Sequence, residues 1–354
     1  MPTLAGTIAA TSFPPITRLP DTGVSHAARR RAASCHIATR DRSTASHSSD
    51  GIRRRPIPRP AGTPSVHSRI SALHDSGRRF AAMDGSTFHR KRTFVVGGSM
   101  GIGLAVAKRF AAGGADVTLF ARRRLPLEKA LAQLERFRRA PDQRLAFLEL
   151  DVRDPTAVSA VMQRLVAADG APDVLFNCAG RAYPRRFEEI SYEQFADTMQ
   201  TNLHGCWNTV SALVPSMKAR GGYIVNTASL AGLIGVFGYT DYCASKFAVI
   251  GFSEALRSEL KAHGITVSVL CPPDTDTPGF ATENTTKPPE TQAISASAKL
   301  LTADDVADAL LAGMTRRAPL IIPGFDGKLS ALAKRFAPWL VERTMDRAIA
   351  RTRR

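Results

Sequence analysis

From residue 92 onward, short runs of β-branched and aromatic residues alternate with stretches in which apolar positions recur every three or four residues. The first run, 93–96, ends in glycines and passes into a helical pattern over 101–113. Runs at 115–120, 145–150, 173–177, 223–227, 265–271 and 320–322 read as strands, several of them apolar throughout, as expected when both sheet faces are covered. Between them 126–139, 155–168, 192–217, 239–263 and 303–316 read as helices, and a proline near the first turn opens 155–168. Strand and helix alternating at this spacing predict an α/β fold: a doubly wound parallel sheet of about seven strands with helices on both faces. No solenoid repeat is present.

Two flanking segments break the pattern. Residues 1–88 are rich in Ser, Thr, Pro, Ala and Arg and read as a disordered basic arm. Thirteen Arg, no Lys and four Asp lie between Met1 and Ala82, so about half of the net charge of +17 sits there. Three explanations stand for this arm: translation that begins at Met83, an organellar targeting peptide, or a basic tail that meets nucleic acid or membrane. Pro56, Pro58, Pro60 and Pro64 oppose a continuous targeting helix. The domain proper is expected over 89–325, followed by a tail over 326–354. In that tail Leu329, Leu332, Phe336, Trp339 and Leu340 recur at helical spacing among Lys334, Arg335, Arg343 and Arg347, with Pro338 as an interruption. A basic amphipathic helix of this kind lies on anionic bilayers, packs in a core or forms a subunit contact.

Five widely spaced cysteines without a C-x-x-C pair argue against a disulfide framework or a metal site, and for a reducing, cytoplasmic setting. No apolar run reaches eighteen residues, so no membrane-spanning helix is expected.

The chemistry-bearing positions fall at strand ends. Gly97, Ser99, Met100, Gly101, Ile102 and Gly103 form a glycine-rich turn between the first strand and helix, spaced G-x-x-x-G-x-G. Such a turn lets the backbone approach a pyrophosphate while the helix N-terminus offers free N–H groups, which makes the sheet Rossmann-like. After the second strand stand Arg122 and Arg123, where a carboxylate would select an unphosphorylated ribose. Guanidinium binds a 2′-phosphate instead, so NADPH is expected, with Arg122 the first contact; a solvated helix approach is the alternative. Asp151 and Val152 follow the third strand, and Asn177, Ala179 and Gly180 the fourth, beside the adenosine half. Asp151 reads equally as the cap of the helix that follows. Tyr242 and Lys246 share a helix face, and Ser229 precedes Tyr242 by thirteen residues. An ammonium beside a phenol lowers its pKa, as proton exchange near neutral pH requires.

In this order the motifs V-G-G-S-M-G-I-G, N-C-A-G, Asn202 in T-N-L-H-G, Ser229 and Y-C-A-S-K resemble the short-chain dehydrogenase/reductase family over about 92–322. The resemblance implies that Tyr242 protonates a ketone oxygen, Ser229 holds that oxygen, Lys246 binds the nicotinamide ribose, and Asn202 positions a helix kink and a proton-relaying water. It also implies a homo-oligomer paired through the helices near 192–217 and 239–263. Val96 and Cys178 depart from the family's Thr and Asn.

The segment 271–280, C-P-P-D-T-D-T-P-G-F, together with T-K-P-P-E-T at 286–291, resembles the 3-ketodihydrosphingosine reductase group within that family. It implies a long-chain keto-amine substrate, a cofactor carboxamide held by Thr277 and the backbone of Thr275, Pro272 as a further cofactor contact, and a lid over 280–294. A proline-set loop without substrate meaning is the alternative. The apolar stretch 233–237 suits an alkyl chain. Peripheral contact with the endoplasmic reticulum or a bacterial inner membrane would then follow from the tail. A 3-oxoacyl thioester or other carbonyl substrate is the competing reading. A non-catalytic nucleotide-binding or nucleic-acid-binding protein is a third, which the intact Ser229, Tyr242 and Lys246 oppose; no nucleic acid is expected.

Overall fold

The computed structural model describes residues 88–296 and 298–352. The arm expected over 1–88 therefore lies outside the described residues up to its last member. Phe88 itself belongs to the domain: it is buried and meets Phe110 edge to face, ring centroids 5.0 Å apart.

Seven strands form the main sheet: β1 (Arg92–Val96), β2 (Asp116–Ala121), β3 (Leu145–Glu149), β4 (Val174–Asn177), β5 (Gly222–Thr227), β6 (Ile265–Leu270) and β9 (Leu320–Ile321). Their spatial order is β3-β2-β1-β4-β5-β6-β9, every pairing parallel. The order reverses between β1 and β4, so a crevice opens at the carboxyl ends of these two strands. Two short strands, β7 (Thr275–Asp276) and β8 (Leu301–Thr302), pair with each other beyond that edge.

Alternation along each strand divides the core between the two faces. Val95, Leu119, Phe176 and Val225 pack with α1 (Gly101–Ala112) and α9 (Ala303–Thr315). Phe94, Phe120, Leu175 and Ile224 point the other way, onto α3 (Pro155–Asp169) and α5 (Gly205–Met217). Burying those last four side chains contributes roughly 1.5–3 kcal/mol each. Helix α2 (Arg124–Leu134) starts two residues earlier than the periodicity implies and tightens into a 3₁₀ turn at Glu135–Phe137.

Three local features sharpen the expectations. The helix expected over 192–217 is two, α4 (Tyr192–Met199) and α5, joined by a π turn at Gln200–His204. Val152 presses on Gly205, where an added Cβ would lie 2.5 Å from Val152 Cγ2. Asp151 does not cap α3; Asp154 does, accepting from the Thr156 and Ala157 amides at 2.9 and 3.0 Å. The tail is a helix pair, α10 (Phe325–Phe336) and α11 (Pro338–Arg351), because Pro338 cannot continue the first helix but opens the second. Among the described residues no helix is long and apolar enough to cross a membrane.

Candidate active site

A cavity of about 480 Å³ runs along the crevice. Its near end is the β1–α1 turn, where Gly97, Ser99, Met100, Gly101, Ile102 and Gly103 line the wall. Gly97 needs its missing side chain: φ is +83°, and a Cβ would stand 2.5 Å from the Ala179 amide nitrogen. Met100 gives α1 no side-chain cap, so the first amides of the helix stay available to an anion.

Arg122 and Arg123 are exposed at the rim beside this turn, whereas Arg124 is spent on Glu128 and Glu149. Asp151 and Val152 continue the wall. Sequence reasoning missed the ionic string that holds Asp151: Arg153 bridges it to Asp197, at 2.6 and 2.7 Å, and Arg181 meets Asp197 from the other side. The Arg153 hydrogen bonds hold the Asp151 carboxyl below the usual carboxylate range, with Arg122 adding to the effect. The neighbouring carboxylates of that string alternate with arginines in a way visible only once α4 is folded against the β4 loop.

Ala179 and Gly180 line the cavity, but Asn177 is turned away. It is buried, with its amide on Asn226 at 3.0 Å and its carbonyl on the Thr209 hydroxyl at 2.8 Å. Its expected contact role gives way to bracing the wall from behind.

The far end is built on α6 (Thr240–Leu260). Asp241 is buried; it accepts from the Thr198 hydroxyl at 2.8 Å and from the Tyr242 amide at 2.8 Å, which sets the first turn of the helix. Tyr242 and Lys246 both face the cavity. The Lys246 ammonium donates to the Thr227 carbonyl at 2.9 Å and stands 5.6 Å from the Tyr242 ring centroid. Ser229, just after β5, accepts from the Ala231 amide at 3.1 Å and donates to the Pro272 carbonyl at 3.5 Å, and its hydroxyl is close enough to the Tyr242 phenol to lower the phenol's pKa. Asn202, inside the π turn, clamps the Arg181 backbone at both its amide and carbonyl and donates to the Ser245 hydroxyl at 2.9 Å. The turn thereby ties the β4 loop to α6.

One electrostatic expectation is corrected. Tyr242 is not lowered: burial raises it first and Glu283 second, against the Ser229 hydrogen bond. Burial also lowers Lys246, whose ammonium is aimed at a carbonyl rather than at the phenol. Tyr242 therefore stands as a neutral phenol, the form that donates a proton.

Pro272 and Thr277 line the cavity, and Thr277 also caps α7 (Pro278–Asn284) by accepting from the Phe280 amide at 3.1 Å. Thr275 lies in β7, and its hydroxyl is turned onto the Pro273 carbonyl at 2.8 Å. The segment expected as a lid holds α7 and α8 (Pro289–Ser295), and Phe280, Thr282 and Glu283 close the cavity's far end. Glu283 and Tyr239 were not singled out by sequence; an acidic residue just after the T-P-G-F turn was the available signal. Among the described residues no cluster of metal ligands occurs.

The chain matches the family model described as short chain dehydrogenase over residues 91–288. It is 41% identical to the "3-dehydrosphinganine reductase" of Danio rerio over 215 residues, 60% of this chain and 65% of that protein. It is 36% identical to the "3-dehydrosphinganine reductase TSC10B" of Arabidopsis thaliana over 247 residues, 69% of this chain and 72% of that one. A solved short chain dehydrogenase/reductase from Burkholderia phymatum, in complex with NAD, superposes with a TM-score of 0.63 at 25% identity, covering 72% of this chain and 95% of that one.

Proposed function

The chain belongs to the short chain dehydrogenase family, and on that premise we propose that it reduces a ketone to a secondary alcohol with NADPH, its substrate a long-chain 2-amino-3-ketone of the 3-ketodihydrosphingosine type. The observation that carries this reading is one cavity lined by the glycine turn and by Tyr242 and Lys246, with the Ser229 hydroxyl acting on the Tyr242 phenol. The glycines leave room for a pyrophosphate against the backbone, and Gly180 keeps space beside Lys246 Nζ and Asn202 Oδ1, each 3.3 Å from where a Cβ would stand. A dinucleotide therefore fits, with the Gly97–Gly103 turn on the pyrophosphate, Arg122 and Arg123 on the 2′-phosphate, and Lys246 on the nicotinamide ribose. When bound, the cofactor supplies hydride to the carbonyl carbon.

The protein's own residues handle the oxygen. Ser229 and Tyr242 donate hydrogen bonds to it, and Tyr242 gives up its proton as negative charge develops there. Lys246 has N–H groups beyond the one on Thr227 and stabilises the phenolate left behind. Asn202 holds the π turn and the Arg181 backbone in register with α6. The relatives named as 3-dehydrosphinganine reductases support the substrate class.

Two assembly readings accompany this function. Tyr192, Phe195, Trp207 and Phe247 are exposed apolar side chains on α4, α5 and α6, and a second copy of the chain would cover them. Phe325, Leu329, Leu332 and Phe336 form one exposed stripe on α10, continued by Trp339 and Leu340, with Arg335 over the Phe336 ring and Arg343 over the Trp339 ring. Apolar side chains flanked by arginine match an anionic bilayer surface. The test of the main reading is cofactor oxidation with the keto-amine and a 3-oxoacyl thioester side by side. Turnover of the keto-amine is expected; turnover of the thioester alone overturns the substrate while keeping the reductase.

A further inference from the structure

Glu283 sits where a structural carboxylate has little reason to be. It lines the same cavity as Tyr242, and its Oε2 accepts from the Tyr239 hydroxyl at 3.1 Å. The Tyr239 ring lies tilted against that of Tyr242, centroids 5.5 Å apart. Among the described residues no cation comes within 4.0 Å of the Glu283 carboxylate. Lys287, the nearby candidate, is buried with its ammonium over the Phe280 ring at 3.9 Å and 4.0 Å from Asp274. The cavity is thus polarised. Arg122 and Arg123 stand beside the glycine turn, whereas the Glu283 carboxylate, without an ion pair, lines the same cavity close enough to Tyr242 to raise its pKa.

We propose that Glu283, oriented by Tyr239, is the specificity-determining residue that receives the protonated amine on the carbon next to the substrate's carbonyl. This rests on the ketone-reductase reading above. In a 2-amino-3-ketone the ammonium and the ketone oxygen are borne by adjacent carbons. A substrate whose oxygen meets Tyr242 therefore presents its ammonium to the neighbouring wall, which is where Glu283 stands. A carboxylate with one oxygen held by a phenol keeps the other for a charge-assisted hydrogen bond. The groups that set its protonation are all close by: Tyr239 and Lys287 favour the ionised form, Lys246 does so from α6, and Asp274 opposes it. Burial outweighs the favourable ones and pushes Glu283 up to about 7. Arrival of an ammonium would draw it back to the charged state.

Glu283→Gln removes the charge and keeps an oxygen for Tyr239, so it separates recognition from packing. The readout is the ratio of kcat/KM for the long-chain amino ketone to that for the same ketone lacking the amine, with NADPH and the full chain. The ratio is expected to fall at least about tenfold in Glu283→Gln, mostly through KM. In the unsubstituted protein the ratio is expected to rise with pH through about 7 as Glu283 ionises, until the amine loses its own proton. An unchanged ratio in a folded Glu283→Gln protein overturns the proposal. So does a ratio that is flat from about pH 6 to about pH 8 in the unsubstituted protein, which decides alone if the variant does not fold. Failure to reduce either ketone would instead overturn the reductase reading, and the proposal with it.

Discussion

The Tyr239 hydroxyl and the Glu283 carboxylate are joined by a 3.1 Å hydrogen bond across the seam between α6 and α7. Burial outweighs that bond and leaves Glu283 up at about 7 rather than near its ordinary value. A carboxyl raised on folding stabilises fully below its unfolded pKa, and that contribution is lost as pH rises through the folded value. Glu283→Gln should therefore melt higher than the unsubstituted protein at about pH 8, by the equivalent of about 1–3 kcal/mol, and match it near pH 5. Thermal unfolding across that pH range checks this, and a difference independent of pH contradicts it.

Arg122 is expected to set the choice between the two nicotinamide cofactors. Arg122→Ala should raise the KM for NADPH by roughly 10- to 100-fold while that for NADH changes little, since a guanidinium on a phosphate is worth about 1.5–3 kcal/mol. Kinetics with both cofactors reads this directly. Equal losses for both would mean that Arg122 serves only the fold.

The exposed stripe on α10 predicts sedimentation with anionic vesicles. Leu332→Asp combined with Phe336→Asp should abolish it at unchanged melting temperature. Retention of both binding and fold in that variant would assign the stripe to something other than the bilayer.

The apolar face over α4, α5 and α6 predicts a homo-oligomer. Trp207 is 57% exposed, its ring centroid 5.6 Å from that of Phe252, so a charge there would disturb such a contact with little damage to the core. Trp207→Glu should sediment at a smaller mass than the unsubstituted protein, and an unchanged mass places the contact elsewhere.

The parallel sheet of seven strands and the glycine-lined crevice were largely legible because they depend on patterns the chain carries locally. Apolar runs mark strands, and Gly97 to Gly103 carries its own turn geometry. What escaped depends on contacts between distant segments. The resemblance implied a kink at Asn202, but not that it is a π turn with Val152 packed on Gly205 and the Asn202 amide on the Ser245 hydroxyl. Asp151 reads as a cap or a cofactor contact from sequence, and only the bonds from Arg153 to Asp151 and from the Thr156 amide to Asp154 show that the cap is Asp154. The Tyr242 phenol follows burial, which the i, i+4 spacing of Tyr242 and Lys246 does not encode.

On the proposed mechanism Tyr242 delivers the proton to a ketone while the rest of the cavity holds cofactor and substrate. Tyr242→Phe removes the hydroxyl and nothing else. The most direct measurement is NADPH oxidation with the long-chain amino ketone, alongside NADPH affinity, in the unsubstituted protein and this variant. Turnover falling by about 10²–10⁴ at nearly unchanged NADPH affinity is predicted. Turnover within a few-fold of the unsubstituted protein would rule out Tyr242 as the proton donor.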